Sequence, residues 1–313
     1  MTLGISLSPF TLNNSDNAVD AAVTAGREAA AAGVRSVWLG QLFGPDSIAV
    51  AGILGREVPE LEVGTSVVPI AGRHPLVVAG QAQTAQAASH GRFTLGIGTG
   101  SRAMAEAAFG GSFDRPIAHL REFLTALRPL LETGTADLHG EIFTAAPPFS
   151  AEVAGAKPPV PVLVSALGPQ TLRVAGELAD GTMPYLVGAN ALNEHIVEPL
   201  RAAAARAGRP TPRVIALVPA LVTSDVAAAT AAAEESMAFY DKIPAYRRVL
   251  EKSGVQRAAQ LAVLGDEDTV AAALEAYFAA GATEIVVANS DLTTEADRLR
   301  TLALVGELAR ARA

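Results

Sequence analysis

Two short stretches hold the residues best suited to chemistry. Thr65-Ser66-Val67-Val68-Pro69 and Gly96-Ile97-Gly98-Thr99-Gly100-Ser101 each close an apolar, β-branched run with small hydroxyls and glycines. A surface of that kind lets a flat ligand lie against backbone. Gly98-x-Gly100 after a strand permits that approach, or simply makes a tight strand-to-helix turn. A third stretch, Ser165-Ala166-Leu167-Gly168-Pro169-Gln170, ends a strand and opens a helix with Pro169 in its first turn. Free N–H groups there suit a phosphate, and a purely structural proline-started helix explains the same residues equally well.

The other strand ends are Ser8-Pro9-Phe10, Gly40-Gln41-Leu42, Tyr185-Leu186, Thr223-Ser224 and Asn289-Ser290-Asp291. Together these tips are almost free of charge. Metal-dependent hydrolysis needs clustered His, Asp and Glu ligands, and no metal site is expected here. Enolase-type chemistry needs several acids, whereas only Asp291 is available. Schiff-base chemistry needs a lysine at a strand end, and the only lysines are Lys157, Lys242 and Lys252. Paired carboxylates for glycoside hydrolysis are missing too. Tips so poor in acids, bases and nucleophiles point to a bound cofactor that carries the reaction.

The elements that must position these tips alternate along the whole chain. Strands are expected at Leu3–Leu7, Ser36–Leu39, Leu61–Val68, Phe93–Ile97, Pro161–Ser165, Gly181–Pro184, Val214–Val222 and Glu284–Ala288. Helices follow each in turn: Asn17–Ala32, Asp46–Glu57, Pro75–Ser89, Arg115–Glu132, Pro169–Leu178, Ala191–Ala207, Asp225–Lys252 and Thr294–Ala311. These β-then-α units fit a single (β/α)₈ barrel, an α/β fold, over residues 1–313; a doubly wound sheet is the alternative. Two segments interrupt the alternation. Gly134–Pro159, Pro-rich with a β-like piece at Glu141–Thr144, is expected to lie over the barrel mouth. Met237–Leu264 carries more chain than one crossover needs and is expected to hold extra helices.

Composition sets the outer limits. Of 313 residues, 50% are hydrophobic and 18% charged, so a large buried core is expected. A net charge of −8 with no basic run argues against a nucleic-acid partner. The absence of cysteine removes disulfides, thiolate nucleophiles and Cys-ligated metals. No apolar run has the length of a membrane span, and the first residues lack a basic n-region, so a cytoplasmic setting is expected.

Several runs resemble the bacterial luciferase-like superfamily, in its branch using the deazaflavin coenzyme F420. They are His74-Pro75-Leu76-Val77-Val78-Ala79, Gly91 to Gly100, Pro161 to Pro169, Leu172 to Gly181, Gly265-Asp266-Glu267-Asp268 and Ala280-Gly281-Ala282. The resemblance implies a (β/α)₈ barrel with insertions, a homodimer, and hydride transfer to or from C5 of the deazaflavin. It implies a non-proline cis peptide at Ser66-Val67 behind the cofactor ring. It implies that Gly98, Thr99, Gly100 and Ser101 run along the ring and side chain. It further implies that Ala166, Leu167, Gly168 and Pro169 meet the cofactor phosphate, and that Ser8, Gly40 and Gln41 line the ring pocket.

The chain also departs from that family. Sugar-phosphate dehydrogenases of this kind carry an Asp-His pair where this chain has Gly40-Gln41, and a glutamate where it has Ser101. A hexose-phosphate substrate is therefore not expected. Reduction of an activated C=C or C=N bond in a small organic molecule is, with the proton drawn from solvent, from a Gln41-ordered water or from Tyr185. The alternatives are an FMN-dependent monooxygenase of the same fold and a non-catalytic flavin-binding protein.

His74 is read either as orienting cofactor or substrate, or as a local cap. His119 and His195 fall within helices, His90 at a helix end, and His139 in the insertion. Arg73 and Arg102 flank the two organising tips, and Arg92 is placed to pair below the barrel. Trp38 is expected in the core, with Phe10 and Tyr185 as walls for substrate.

Overall fold

The structure is a computed structural model that describes residues 2–288, 292 and 294–312. The expected eighth tip, Asn289-Ser290-Asp291, lies outside the described residues. Eight parallel strands close on themselves: β1 (Thr2–Leu7), β2 (Ser36–Leu39), β3 (Glu62–Thr65), β4 (Phe93–Gly98), β5 (Val162–Val164), β6 (Gly181–Thr182), β7 (Arg213–Val222) and β8 (Glu284–Ala288). The ring closes where β8 pairs with β1 and where β7 pairs with both β6 and β8. A closed parallel barrel has no free edge, and both faces of each strand are covered. Continuous apolar runs such as Ser36–Leu39, buried at every position, follow from that burial.

The helices begin where the sequence supplies a cap. Asn17 accepts the N–H groups of Val19 and Asp20, and Asp46 accepts those of Ile48 and Ala49. Gly33, at φ 93°, ends the helix Ala18–Ala32 in the left-handed conformation that favours glycine.

Inside the barrel, Trp38, Leu163, Met183, Ile215 and Val286 form a packed layer, with Val67 and Leu217 against it. The Trp38 indole donates to Ser36 Oγ at 3.0 Å, so its buried N–H is satisfied. Below, Arg213 closes the N-terminal end with a bidentate pair to Glu284 at 2.7 and 3.0 Å. Arg92 instead donates to the backbone carbonyls of Leu61 and Gly55. The barrel is thus filled from the bottom to just beneath the strand tips.

Two expectations need correction. The run expected as one strand, Leu61–Val68, breaks after Thr65; Val68–Pro69 re-pairs with β4 beyond an irregular step at Ser66-Val67. The insertion after the fourth unit does not cover the mouth. Its two-residue hairpin, Leu138–His139 against Thr144–Ala145, lies along the outer helices Pro75–Ala88 and Pro116–Thr133. Glu122 accepts the N–H groups of Glu141, Ile142 and Phe143, and the Gln83 side chain bonds Ala151 and Val153. The insertion's backbone is thus tied to side chains on the outer flank of those helices.

The segment after β7 holds extra helices. Where one helix was expected across Asp225–Lys252, the chain forms Val226–Met237, a turn of 3₁₀ helix at Tyr240–Lys242, and Pro244–Lys252. The first helix ends at Met237, and Pro244 opens the second at its first position, where its missing N–H costs no intrahelical bond.

Candidate active site

Above the packed layer, at the C-terminal strand ends, lies a cavity of about 550 Å³. That is within the usual range for a small-molecule site. Two chemically different groups of residues line it. From the strand tips come four hydroxyls, Ser6, Ser8, Ser66 and Ser165, with Gly40, Gln41 and Val67. From the loop after β6 and the segment after β7 come Tyr185, Met237, Phe239, Tyr240 and Tyr246. Among the described residues that line the cavity there is no Asp, Glu, Lys, Arg or His.

The hydroxyl side is built on the step at Ser66-Val67. Thr65 is fully buried; its Oγ1 donates to the Gly96 carbonyl at 2.8 Å and accepts the Gly96 N–H at 2.9 Å. That side chain carries on the pairing of β3 with β4 where the regular ladder stops. The Ser66-Val67 peptide is cis. Ser66 Oγ then lies 3.2 Å from Ser6 Oγ, across the mouth of the first strand. The glycines of β4 make room for this step. A Cβ on Gly96 would meet the Thr65 carbonyl oxygen at 2.0 Å, and one on Gly98 would meet Val67 Cγ2 at 2.9 Å. Gly98 therefore admits Val67, which lines the cavity beside Ser66.

Gln41 is half-buried at the rim. Its Oε1 accepts the Ser47 N–H at 3.1 Å, while Ser47 Oγ donates to the Gly40 carbonyl at 2.7 Å. With the carbonyl end engaged, the amide N–H₂ is the end of Gln41 left as a donor. Ser8 caps the short helix Pro9–Asn13, accepting Phe10 N–H at 3.2 Å, so Phe10 stands at the rim.

The aromatic side is held by braces outside the cavity. Tyr185 is aligned by a bridge to Leu217, extending the β6–β7 pairing upward. The following loop is tied to the helix Pro244–Lys252: Gly188 N–H donates to Ser253 Oγ at 2.9 Å, and Asn190 donates to the Ser253 carbonyl. Asp241, beside Tyr240, accepts the Ala258 N–H at 2.7 Å and faces Arg257. Tyr240 and Tyr246 pack with ring centroids 4.9 Å apart, and Tyr185 sits 5.3 and 6.4 Å from them. Burial, with Tyr240 nearby, pushes the Tyr246 phenol above its ordinary range, so it is a neutral hydroxyl at any ordinary pH.

The expected site residues divide accordingly. Ser8, Gly40, Gln41, Ser66, Val67 and Tyr185 come together around the cavity. Gly98, Thr99, Gly100 and Ser101 stand at the neighbouring tip without lining it, Gly100 exposed with φ 71°. Ala166, Leu167, Gly168 and Pro169 lead from Ser165 into the helix Pro169–Leu178; the Gly168 N–H is 3.2 Å from Thr171 Oγ1. His74 is elsewhere. Its Nδ1 accepts the Leu76 N–H, its Nε2 is 3.1 Å from the Thr144 carbonyl, and its ring packs edge-on to Phe143. None of the five histidines lines the cavity. Arg73 faces Asp46 at 3.6 Å, and Arg102 pairs with Glu106 and Asp114.

Residue-type reasoning missed Met104, Met237, Phe239, Tyr240 and Tyr246. The one available signal was the surplus length after β7, which carries four of them.

A family model described as luciferase-like monooxygenase matches residues 1–284. An uncharacterized protein of Mycobacterium bovis is 33% identical over 217 residues, 64% of this chain and 63% of that protein. The match thus spans less than two thirds of that relative's length. A putative coenzyme F420-dependent oxidoreductase of Mycobacterium tuberculosis is 26% identical over 230 residues, 67% of this chain and 64% of that one. Among solved structures, the coenzyme F420-dependent tetrahydromethanopterin reductase of Methanopyrus kandleri superposes with a TM-score of 0.80, at 22% identity, over 99% of both chains. At that identity the superposition speaks for the fold.

Proposed function

The chain belongs to the luciferase-like monooxygenase family, and from that premise we propose that it is an F420-dependent oxidoreductase that reduces an activated C=C or C=N bond. The single observation that carries this reading is the cavity itself: roomy, set on the strand tips, and lined by described residues without an ionised group. The hydroxyls on such walls have no His, Lys or carboxylate among the described lining residues to activate them, and a carried-in heterocycle is the simplest source of reactivity.

The residues fit such a ring. Val67, presented by the step after β3, would give such a ring an apolar surface to lie against. The hydroxyls of Ser6, Ser8, Ser66 and Ser165 suit the donors and acceptors along a flavin-like edge. The tips Gly98–Ser101 and Ala166–Pro169 are the sites we assign to its side chain and phosphate. When bound, the deazaflavin supplies a hydride at C5. The chain's own part is to orient the acceptor, keep bulk water away, and deliver one proton to the reduced bond. Gln41, through its amide N–H₂ and an ordered water, and Tyr185, through its phenol, are the candidates for that proton.

The family description equally covers oxygen-using flavin enzymes, and FMN is the rival cofactor. Anaerobic titration with oxidised F420 and with FMN, followed by visible absorbance, distinguishes them. The expected outcome is tight binding of F420, and oxidation of its reduced form by an enone or imine but not by a hexose phosphate. Tight FMN binding with no F420 binding rejects the assignment.

A further inference from the structure

We infer that the acceptor taken by this cavity is an uncharged, planar, conjugated molecule, recognised by the ring trio Tyr185, Tyr240 and Tyr246. The inference rests on the oxidoreductase reading for its chemistry, but on the cavity walls alone for its selectivity. Three of the chain's four tyrosines and three of its four methionines line this one cavity. Such residues are scarce in the sequence and are gathered where a guest would sit.

The three rings stand nearly perpendicular to one another, with interplanar angles of 77°, 84° and 71°. A perpendicular set offers both electron-rich faces and electron-poor edges, which suits another flat π system in offset or edge-on contact. The thioethers of Met104 and Met237 add polarizable surface that follows a ring's outline. Phe10 and Phe239, 58% and 50% exposed, extend the aromatic surface to the rim.

Charge works as an excluding device. A carboxylate or phosphate entering would leave water for walls whose described residues include no cation, and burying an unpaired charge is strongly unfavourable. Two arginines that flank the neighbouring tips are already paired. Arg73 faces Asp46, and Arg102 is held by Glu106 and Asp114, all outside the lining. The Tyr246 phenol, kept neutral by burial, can donate to a carbonyl oxygen without itself repelling the acceptor. The trio is also preformed, because Ser253 ties the Tyr185 loop to the Tyr246 helix.

The test is calorimetric titration of the full chain, alone and again with saturating cofactor. Its probes are benzylideneacetone, a neutral planar enone; trans-cinnamate, the same skeleton ending in a carboxylate; and 4-phenylbutan-2-one, neutral but saturated. Benzylideneacetone is expected to bind at least about tenfold tighter than cinnamate, and about fivefold tighter than the saturated ketone. Tyr240→Ala and Tyr246→Ala should each weaken enone binding about fivefold, with Tyr240→Phe within twofold of the parent. Should an Ala variant fail to fold, Tyr→Leu removes the ring while retaining bulk. Equal affinity for cinnamate, or folded ring-deleted variants that bind as well as the parent, overturns the inference. Enone selectivity without F420 binding leaves the slot standing and ends the cofactor assignment; F420 binding without enone selectivity does the reverse.

Discussion

At the scale of single residues, the site depends on where side chains are missing as much as on where they are present. Gly96 and Gly98 could be read from the sequence as a cradle for ligand. Their positions show that they accommodate Thr65 at the end of β3 and Val67 in the step beyond it. Gly96→Ala would place a methyl against the Thr65 carbonyl, and overpacking of that kind should cost about 3 kcal/mol. Urea unfolding checks this, and an unchanged midpoint contradicts it. His74 offers a contrasting case, since its residue type suggested chemistry and its contacts are those of a cap. His74→Ala should lower stability by about 1 kcal/mol while leaving cofactor binding intact. A large fall in turnover at unchanged stability would return His74 to the catalytic machinery.

At the scale of elements, the two interruptions in the β/α alternation have different fates. Both were visible as surplus length, but length says nothing about which face a segment covers. The segment after β7 reaches the cavity, and the insertion after the fourth unit lies along the outer wall. Its hairpin is docked by Glu122 and by His119, whose ring packs on Phe113 and Phe143. Desolvation acts to raise the Glu122 carboxyl, but the N–H groups of Ile142, Phe143 and Glu141 outweigh it and hold it below the usual range. Its contribution is therefore present above about pH 4.5 and lost as pH falls through the depressed value. Burial, opposed by the Glu122 charge, lowers His119 below 6.5. As pH drops past 6.5 the unfolded chain takes up a proton that the folded one resists, so stability falls there too. Hydrogen exchange over residues 138–145 should thus lose protection between pH 7 and 5, and His119→Phe should remove that loss. Protection independent of pH across that window in the parent would contradict the His119 assignment, since the Glu122 contribution is lost only below it. On the aromatic side, Ser253→Ala leaves the Gly188 N–H without its acceptor and should cost about 1–2 kcal/mol, read by chemical denaturation.

At the scale of the whole molecule, the barrel separates stability from chemistry along its axis. The bottom is closed by Arg213 and Glu284, and the cavity sits at the opposite strand ends. Arg213→Met leaves Glu284 buried without its cation and should destabilise by about 3 kcal/mol or more. The Arg213→Met/Glu284→Gln double variant should recover a large part of that, and the cofactor dissociation constant should stay within about twofold in either variant once folded. A loss of cofactor affinity equal to the loss of stability would show that the two ends are coupled. No helix among the described residues is long and apolar enough to cross a membrane.

The alternation of elements, the tips at Ser8, Gly40, Ser66 and Ser165, and the scarcity of charge near them were legible in the sequence. Each follows from local periodicity or from residue type close to a strand end, and a parallel barrel fixes which strand end does chemistry. The tertiary structure decided what stands opposite those tips. Tyr185 and Tyr246 are 61 positions apart in the chain and meet because β6 pairs with β7 and Ser253 ties the two segments together. The same long-range packing sent the insertion to the outer wall and left Gly98 beneath Val67. Local sequence records which conformation a segment prefers, whereas its neighbours are chosen by the competition of all segments for one buried surface.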